Sequence, residues 1–248
     1  FLVSAYLMEH GSAEDVGYYS NAVVLASYVG MLVFSAVETD FFPRLSAVNG
    51  DREQSSHLVD QQTEVLVLLV SPLIVAFILF LPLIIPLLLR RDFMPMLEMS
   101  RWTALALFFT ALTRPVSFMS LSKGDSFTYL LQELFYDLFM VGSVVLGFRY
   151  GGLRWTGIAI FASAVFDWLL NLLITRVRYG YRARGRVGQY ALLQGLLLAV
   201  AMCLMTLLRG WGYWVAGFVM LLLTGSLSVY FLNKETNYIQ RLVQKWRK

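Results

Sequence analysis

Long apolar runs alternate with short polar segments along this chain. The first complete run, residues 16–48, carries no charged side chain over 22–37 and then meets Glu38, Asp40 and Arg44. A helix rises about 1.5 Å per residue, so a run of this length is enough to cross the roughly 30 Å hydrocarbon layer. The pattern predicts a membrane helix whose charged end lies at a membrane face.

Six further runs follow the same pattern and predict six more spans. They cover residues 65–89, 102–121, 127–148, 155–175, 190–208 and 211–232, and residues 1–8 end a further, truncated span. Pro72, Pro82 and Pro86 fall inside the second span, where each ring removes a backbone N–H and a neighbouring helix must satisfy the freed carbonyl. The polar stretch 49–62 predicts a loop. The predicted fold class is an all-α, polytopic transmembrane helix bundle of seven full spans and one partial span.

Composition places the chain among membrane proteins, with 58% hydrophobic residues, 15% charged residues and a mean hydropathy of +0.64. Assigning alternate loops to two sides puts 13 of the 20 Lys and Arg on one side and six on the other, with Arg114 inside a span. Because cytoplasmic loops are rich in Lys and Arg, this asymmetry predicts a cytoplasmic C-terminus. Orientation and contact with anionic membrane lipids account for the net charge of +4, with no need for a nucleic acid partner.

Four ionisable residues lie inside the predicted spans. Arg114 is on the third span, Glu133 and Asp137 are on the fourth, and Asp167 is on the fifth. Such a side chain costs on the order of 3 kcal/mol in the membrane and persists only with a partner or a water-filled cavity. Counted from the span ends, all four lie about 9 to 15 Å deep, in one layer. Polar residues recur at four-residue spacing beside them, as at Asp167 and Asn171, which predicts a shared hydrophilic cavity.

Two interpretations of these residues stay open. In the first, Arg114 pairs with a single carboxylate and Glu133 reaches the interface, with no role in transport. In the second, three carboxylates against one guanidinium leave an excess of negative charge, which favours uptake of a cation. The coupling ion is then a proton or a sodium ion, and Glu133, Asp137, Asp167 and Asn171 are its candidate ligands.

Familiar catalytic and metal-binding motifs are missing. There is no HExxH, P-loop, GxGxxG or GxSxG pattern, and the two histidines, His10 and His57, lie far apart. The single cysteine, Cys203, permits no internal disulfide and no zinc spacing. We therefore predict a protein that is not an enzyme and has no cofactor. The chain starts at Phe1 with no basic leader before it, so we expect a fragment that begins inside a helix.

One stretch resembles a known family. Residues 17–20, Gly-Tyr-Tyr-Ser, open the first full span, and residues 43–46, Pro-Arg-Leu-Ser, close it. This run resembles the polysaccharide flippases of the multidrug/oligosaccharidyl-lipid/polysaccharide (MOP) exporter superfamily. The order that follows is similar too: a polar loop, a proline-bearing span, a span with Glu133 near its start, and a hinge at residues 150–152.

The resemblance implies two pseudo-symmetric helix bundles around a cavity that opens alternately to each side, with this chain as the C-terminal half plus two extra helices. It divides the chain into 1–15, a truncated span and external turn; 16–175, five spans of the transporter bundle; 176–189, a basic cytoplasmic loop; 190–232, two additional spans; and 233–248, a basic amphipathic cytoplasmic tail. The implied substrate is a polyprenyl-diphosphate-linked oligosaccharide, flipped across the bacterial inner membrane, with Arg114 and Arg44 as substrate-binding cations. Association with polysaccharide assembly machinery is a further implication.

Two rival functions remain. A drug/cation antiporter of the same superfamily would also carry carboxylates in its cavity but would need no basic residue, so Arg114 is the discriminating position. An integral-membrane enzyme acting on lipid-linked sugars would carry an acidic or histidine pair on a long interfacial loop. No predicted loop is long enough to suit that enzyme.

Overall fold

The computed structural model describes residues 2–183 and 185–236, which form helices joined by short turns, with no strand among them. The helices are α1 (Leu2–His10), α2 (Ala13–Ala47), α3 (Arg52–Leu88), α4 (Leu97–Ser122), α5 (Ser126–Tyr179), α6 (Gly185–Leu207) and α7 (Trp211–Thr236), with a 3-10 helix (Arg91–Met96) between α3 and α4. Six of the described helices, α2 to α7, are long and apolar enough to cross a membrane. The chain is a multi-pass, all-α membrane protein, which confirms the predicted fold class.

Helix α5 is 54 residues long, and its helical geometry breaks at Gly151 and Gly152. Gly152 has a φ of +62°, a conformation that favours glycine because it has no Cβ. Beyond the break the chain folds back, since the rings of Phe139 and Phe166 stack with centroids 4.1 Å apart. The first half of α5, α5a (126–150), therefore runs antiparallel to the second half, α5b (153–179). The hinge predicted at residues 150–152 lies at this turn.

Two polar segments that the sequence assigns to loops are largely helical. α3 begins at Arg52, because the Asp51 side chain accepts hydrogen bonds from the backbone N–H groups of Glu53 and Gln54 and caps the helix. The predicted loop 49–62 is therefore wrong beyond residue 51, since a helix can continue with polar residues after it leaves the apolar layer. α5 likewise continues to residue 179 and α6 starts at 185, which leaves a connection much shorter than 176–189.

Helix α3 lies at the centre of the bundle. Helices α2, α4, α6 and α7 all pack against it, and α5 packs chiefly on α4. Buried α3 side chains such as Ile74, Ile78 and Leu81 belong to the main apolar core. Because α6 and α7 reach the bundle mainly through α3, this helix joins the predicted extra pair of spans to the rest of the chain.

A side chain of α7 compensates for a proline in α3. Pro82 has no N–H, so the Ile78 carbonyl four residues earlier loses its usual helical partner. The Tyr213 Oη lies 2.9 Å from the carbonyl oxygens of both Ile78 and Leu79 and donates its proton to them. One turn further along α7, a Cβ on Gly217 would overlap the Leu79 side chain, so glycine leaves room for this side chain between the two helices. The expectation that a neighbouring helix satisfies a proline-freed carbonyl is confirmed at Pro82.

Three connections meet at one end of the bundle, which we call the basic end: residues 48–51, 123–125 and 180–183. The Asn49 Nδ2 donates to the Ser122 carbonyl at 2.7 Å, and Lys123 Nζ donates to the Asn49 carbonyl at 2.7 Å. Arg52 donates to the Gly180 carbonyl across the same surface. These bonds tie α2, α3, α4 and α5 together at this end. Most of the predicted tail 233–248 lies outside the described residues, which end at 236.

Candidate functional site

Asp167 and Asn171 form a fixed pair on α5b. Asn171 Nδ2 donates to Asp167 Oδ1 at 2.8 Å and to the Asp167 backbone carbonyl at 3.0 Å. Asp167 is half-buried and Asn171 is 2% exposed. The four-residue spacing places both on one helix face, as the sequence predicts, and the amide orients the carboxylate.

Two carboxylates on α5a lie near this pair. Glu133 and Asp137 share a face of α5a, and both side chains are exposed in the described chain. Both act electrostatically on Asp167. No group of three or more His, Cys, Asp or Glu suited to a metal ion occurs within 2–183 and 185–236, so these three carboxylates do not converge on one point.

Arg114 reaches the same region from α4. Its guanidinium carbon lies 4.9 Å from the ring centroid of Phe34 on α2, and the side chain is half-buried. The Tyr129 hydroxyl on α5a is within electrostatic range of Arg114, Glu133 and Asp167 together. The structure thus gathers five predicted site residues into what we call the mid-membrane cluster: Arg114, Glu133, Asp137, Asp167 and Asn171. Their roles stay predictions.

The polar residues one turn from Arg114 on α4, Thr110 and Ser117, are satisfied within their own helix. Thr110 Oγ1 donates to the Ala106 carbonyl at 3.2 Å, and Ser117 Oγ donates to the Arg114 carbonyl at 3.0 Å. Hydroxyls bonded back to the preceding turn offer less to a ligand than hydroxyls with no such bond. Arg114 is therefore the group that α4 contributes to the mid-membrane cluster.

Arg44 lies apart from the cluster. It is ten residues beyond Phe34 on α2, about 15 Å along the helix axis, and near the basic end. Its Nη1 is 3.2 Å from Asp40 Oδ2 on the preceding turn, and both side chains are exposed. A substrate contact by Arg44 would be made at the membrane face, away from Arg114.

A buried acidic residue was missed because its segment was assigned to a loop. Asp60 on α3 is 2% exposed, and its Oδ1 accepts a hydrogen bond from the Tyr181 hydroxyl at 2.7 Å. Burial, together with the Asp60 carboxylate, raises the pKa of Tyr181 above its ordinary value. The Asp51 helix cap was the available signal, since it places Asp60 inside α3. The pair joins α3 to the connection that follows α5, near the basic end.

A second polar contact joins the two halves of α5 at the basic end. Asp125 caps α5a by accepting from the Thr128 backbone N–H at 3.1 Å. Its other oxygen accepts from Arg178 Nε and from the Tyr179 hydroxyl of α5b. The hydrogen bonds from Arg178 and Tyr179 hold the pKa of the Asp125 carboxyl well below its ordinary value.

Comparison with known proteins supports the resemblance found in the sequence. A family described as polysaccharide biosynthesis protein matches residues 2–98. The matched part runs from α1 through α3 to the start of α4 and includes residues 17–20 and 43–46, but it ends before the mid-membrane cluster. No curated protein and no solved structure matches the chain. Over residues 2–98 the match confirms the predicted resemblance, and it supports a role in polysaccharide biosynthesis or export.

Proposed function

We propose that this chain is part of a flippase that moves a polyprenyl-diphosphate-linked oligosaccharide across the bacterial inner membrane by alternating access. The matched family is one of polysaccharide biosynthesis, and the fold is a multi-pass helix bundle. The observation that carries the proposal is the position of Arg114, a cation inside a membrane helix beside carboxylates on exposed faces. Charged groups at such depth are retained mainly where they line a polar path.

In this mechanism Arg114 binds the diphosphate of the lipid carrier. A guanidinium forms paired, charge-assisted hydrogen bonds with phosphate oxygens, and these bonds are strong in a medium of low dielectric constant. Arg44, exposed near the membrane face, makes an earlier contact as the head group enters. The lipid tail stays in the bilayer and no covalent bond changes, so the protein acts as a transporter and not as an enzyme.

The carboxylates supply the coupling. With three acidic side chains and one guanidinium, the mid-membrane cluster has an excess of negative charge that a proton or a sodium ion offsets. Asp167 and Asn171 form a fixed part of this site, because the amide is bonded to the carboxylate. Binding and release of the cation would then bias the bundle toward one of its two openings.

The orientation follows the distribution of basic residues. Arg44, Arg52 and Lys123 lie at the basic end, as do Arg176, Arg178 and Arg182. Cytoplasmic loops of membrane proteins are enriched in Lys and Arg, so we place the basic end in the cytoplasm. The substrate therefore enters from the basic end and leaves at the opposite face.

The test is transport of a fluorescent polyprenyl-diphosphate glycan by the protein in proteoliposomes, with and without a sodium or proton gradient. Arg114→Ala should reduce the transport rate at least about tenfold, the effect of losing about 1.4 kcal/mol of binding. Arg176→Ala removes an exposed arginine at the basic end and is the matched control, with an unchanged rate. A normal rate in Arg114→Ala would refute the proposed site. Efflux of a cationic dye without glycan transport would favour the drug/cation antiporter.

A further inference from the structure

The two halves of α5 face each other in steps of four residues. Asp125 contacts Arg178 at the basic end, and the Ser143 and Ser163 hydroxyls are 2.8 Å apart nearer the turn. Counted from the Asp125 and Arg178 contact, the following residues lie at similar heights on α5a and α5b: Thr128 and Thr175, Gln132 and Asn171, Tyr136 and Asp167, Met140 and Ser163, Val144 and Ala159. The contact of Ser163 with Ser143, rather than with Met140, shows that this pairing shifts by about one helical turn toward the Gly151 turn. Val144 and Ala159 indeed share one apolar cluster.

The first three of these pairs are polar and form what we call the polar seam: Thr128, Gln132, Tyr136, Asp167, Asn171 and Thr175. The seam starts next to Asp125 and ends at Asp167. Beyond Asp167, Phe139 stacks on Phe166, and Met140, Val144 and Ala159 fill the contact with apolar side chains. Polar side chains thus continue to the basic end, which we call the open end of the seam, and Thr128 and Thr175 are buried there. Toward the turn, which we call the closed end, apolar side chains surround the Ser143 and Ser163 pair.

Polar atoms inside the seam lack hydrogen-bond partners among the residues that the structure describes. Gln132 is 1% exposed, and neither its Nε2 nor its Oε1 has a hydrogen-bond partner within the described residues. Asn171 Oδ1, on the facing side of the seam at the level of Gln132, also has no hydrogen-bond partner within the described residues. A buried amide without hydrogen bonds is destabilising, and folded proteins usually satisfy such groups with ordered water. The side-chain amides of Gln132 and Asn171 lie at one level, so a water molecule between them would have hydrogen-bond partners on both sides.

Charged groups surround the seam on each side that packs against it. Glu133 and Asp137 flank it on α5a, and Arg114 approaches from α4. The Asp125 and Arg178 pair lies at its open end. Asp167 is thus the acidic group at the closed end of a polar path.

We propose that the polar seam holds a short chain of water molecules that carries protons between the basic-end surface and Asp167. A proton from water at that surface passes along hydrogen bonds past Gln132 and Asn171, and the Asp167 carboxylate becomes a carboxylic acid. The reverse transfer releases the proton to the same side. This inference rests on the proposed function, because it names the proton as the ion and the basic end as its source.

The seam suits a proton better than a sodium ion. A metal cation needs several oxygen ligands around one point. Thr175 Oγ1 already donates to the Asn171 carbonyl at 2.7 Å. At this level of the seam the Thr128 hydroxyl is therefore the main oxygen ligand left for a metal cation. A proton needs only a continuous line of hydrogen bonds, which amide and hydroxyl side chains bridged by water provide.

The test follows the infrared band of the protonated Asp167 carboxyl after a pH jump at one face of the reconstituted protein, with Asp167→Asn to assign the band. Gln132→Leu should slow proton exchange from the basic end at least about tenfold, the effect of a barrier raised by about 1.4 kcal/mol. The double variant Thr128→Val with Thr175→Val, which nearly preserves side-chain shape, should also slow it. Ser143→Ala, beyond the closed end, is the matched control and should exchange at the normal rate.

The outcomes separate this inference from the proposed function. Normal proton exchange in both seam variants would overturn the inference. Protons would then reach Asp167 along the exposed faces of Glu133 and Asp137. Absence of any Asp167 band across the working pH range would overturn it as well. Slowed proton exchange in the seam variants of a protein that transports no glycan would support the proton path and refute the flippase function.

Discussion

The contact between α3 and α7 and the polar seam of α5 both bury polar atoms between membrane helices, but they treat them differently. At the first, the carbonyl that Pro82 frees is bonded by the Tyr213 hydroxyl. At the second, the Gln132 amide has no partner among the described side chains. The first contact is complete within the protein and fixes two helices together. The second, in the path proposed above, is completed by water, which lets a proton reach Asp167 without movement of a helix.

The largest effect should come from breaking the complete contact. Tyr213→Phe keeps the ring and its position near Arg101 but leaves the Ile78 carbonyl without its donor. We expect a loss of about 2 kcal/mol in the free energy of unfolding, the cost of an unsatisfied buried carbonyl. The measurement is thermal unfolding in detergent. Tyr230→Phe, an exposed tyrosine on the same helix, is the control and should leave the melting temperature unchanged. Equal melting temperatures for the two variants would contradict the role given to Tyr213.

A smaller effect should appear at the open end of the seam, where Asp125 is satisfied by Arg178 and Tyr179. These partners lower the pKa of Asp125 in the folded state, so its contribution is present above the unfolded pKa of about 4 and is lost as the pH falls below that value. The melting temperature of the wild type should therefore drop on acidification more than that of Asp125→Asn. Asp92→Asn, at the opposite end of the bundle, should keep the wild-type profile. Parallel profiles for wild type and Asp125→Asn would exclude this contribution.

The smallest effect should follow from removing the incomplete contact. Gln132→Leu replaces two polar atoms that have no hydrogen-bond partner in the described part of the chain, so we expect no loss of stability and a gain of up to about 1 kcal/mol. Gln194→Leu on α6 is the matched control, because Gln194 is fully buried but donates to Ser228 Oγ at 3.1 Å. Its loss should cost about 0.6 kcal/mol, the average for such bonds in membranes. A large loss in Gln132→Leu would mean that Gln132 is bonded within the protein, and the difference between the two regions would disappear.

The sequence was sufficient to predict the spans, because apolar runs mark where helices cross the hydrocarbon layer. It was not sufficient for the ends of α3 and α5, since hydropathy falls where the apolar layer stops and not where the helix stops. Asp60 was missed for this reason, although the Asp51 cap marks the start of α3. Helical periodicity alone was enough to pair Asp167 with Asn171, a contact that the structure contains.

Contacts between helices were beyond the reach of one sequence. The Gln132 level of the seam depends on the register between α5a and α5b, and the Tyr213 bond depends on how far α7 slides along α3. Helical periodicity shows which residues share a face of a helix, but not how far that helix is shifted along its neighbour. Common depth and four-residue polar spacing predict the shared cavity, but neither shows that Thr110 bonds to its own helix.

The two-glycine turn of α5 also bears on how the chain enters the membrane during synthesis. Inserted alone, α5b would bring Asp167 into lipid at a cost of about 3 kcal/mol, with its polar face unmatched. The break at Gly151 and Gly152 is very short. The polar face of α5a can therefore pack against the polar face of α5b as soon as both helices have left the ribosome. The helical hairpin is thus the natural unit of insertion, and its two polar faces shield each other from lipid on the way in.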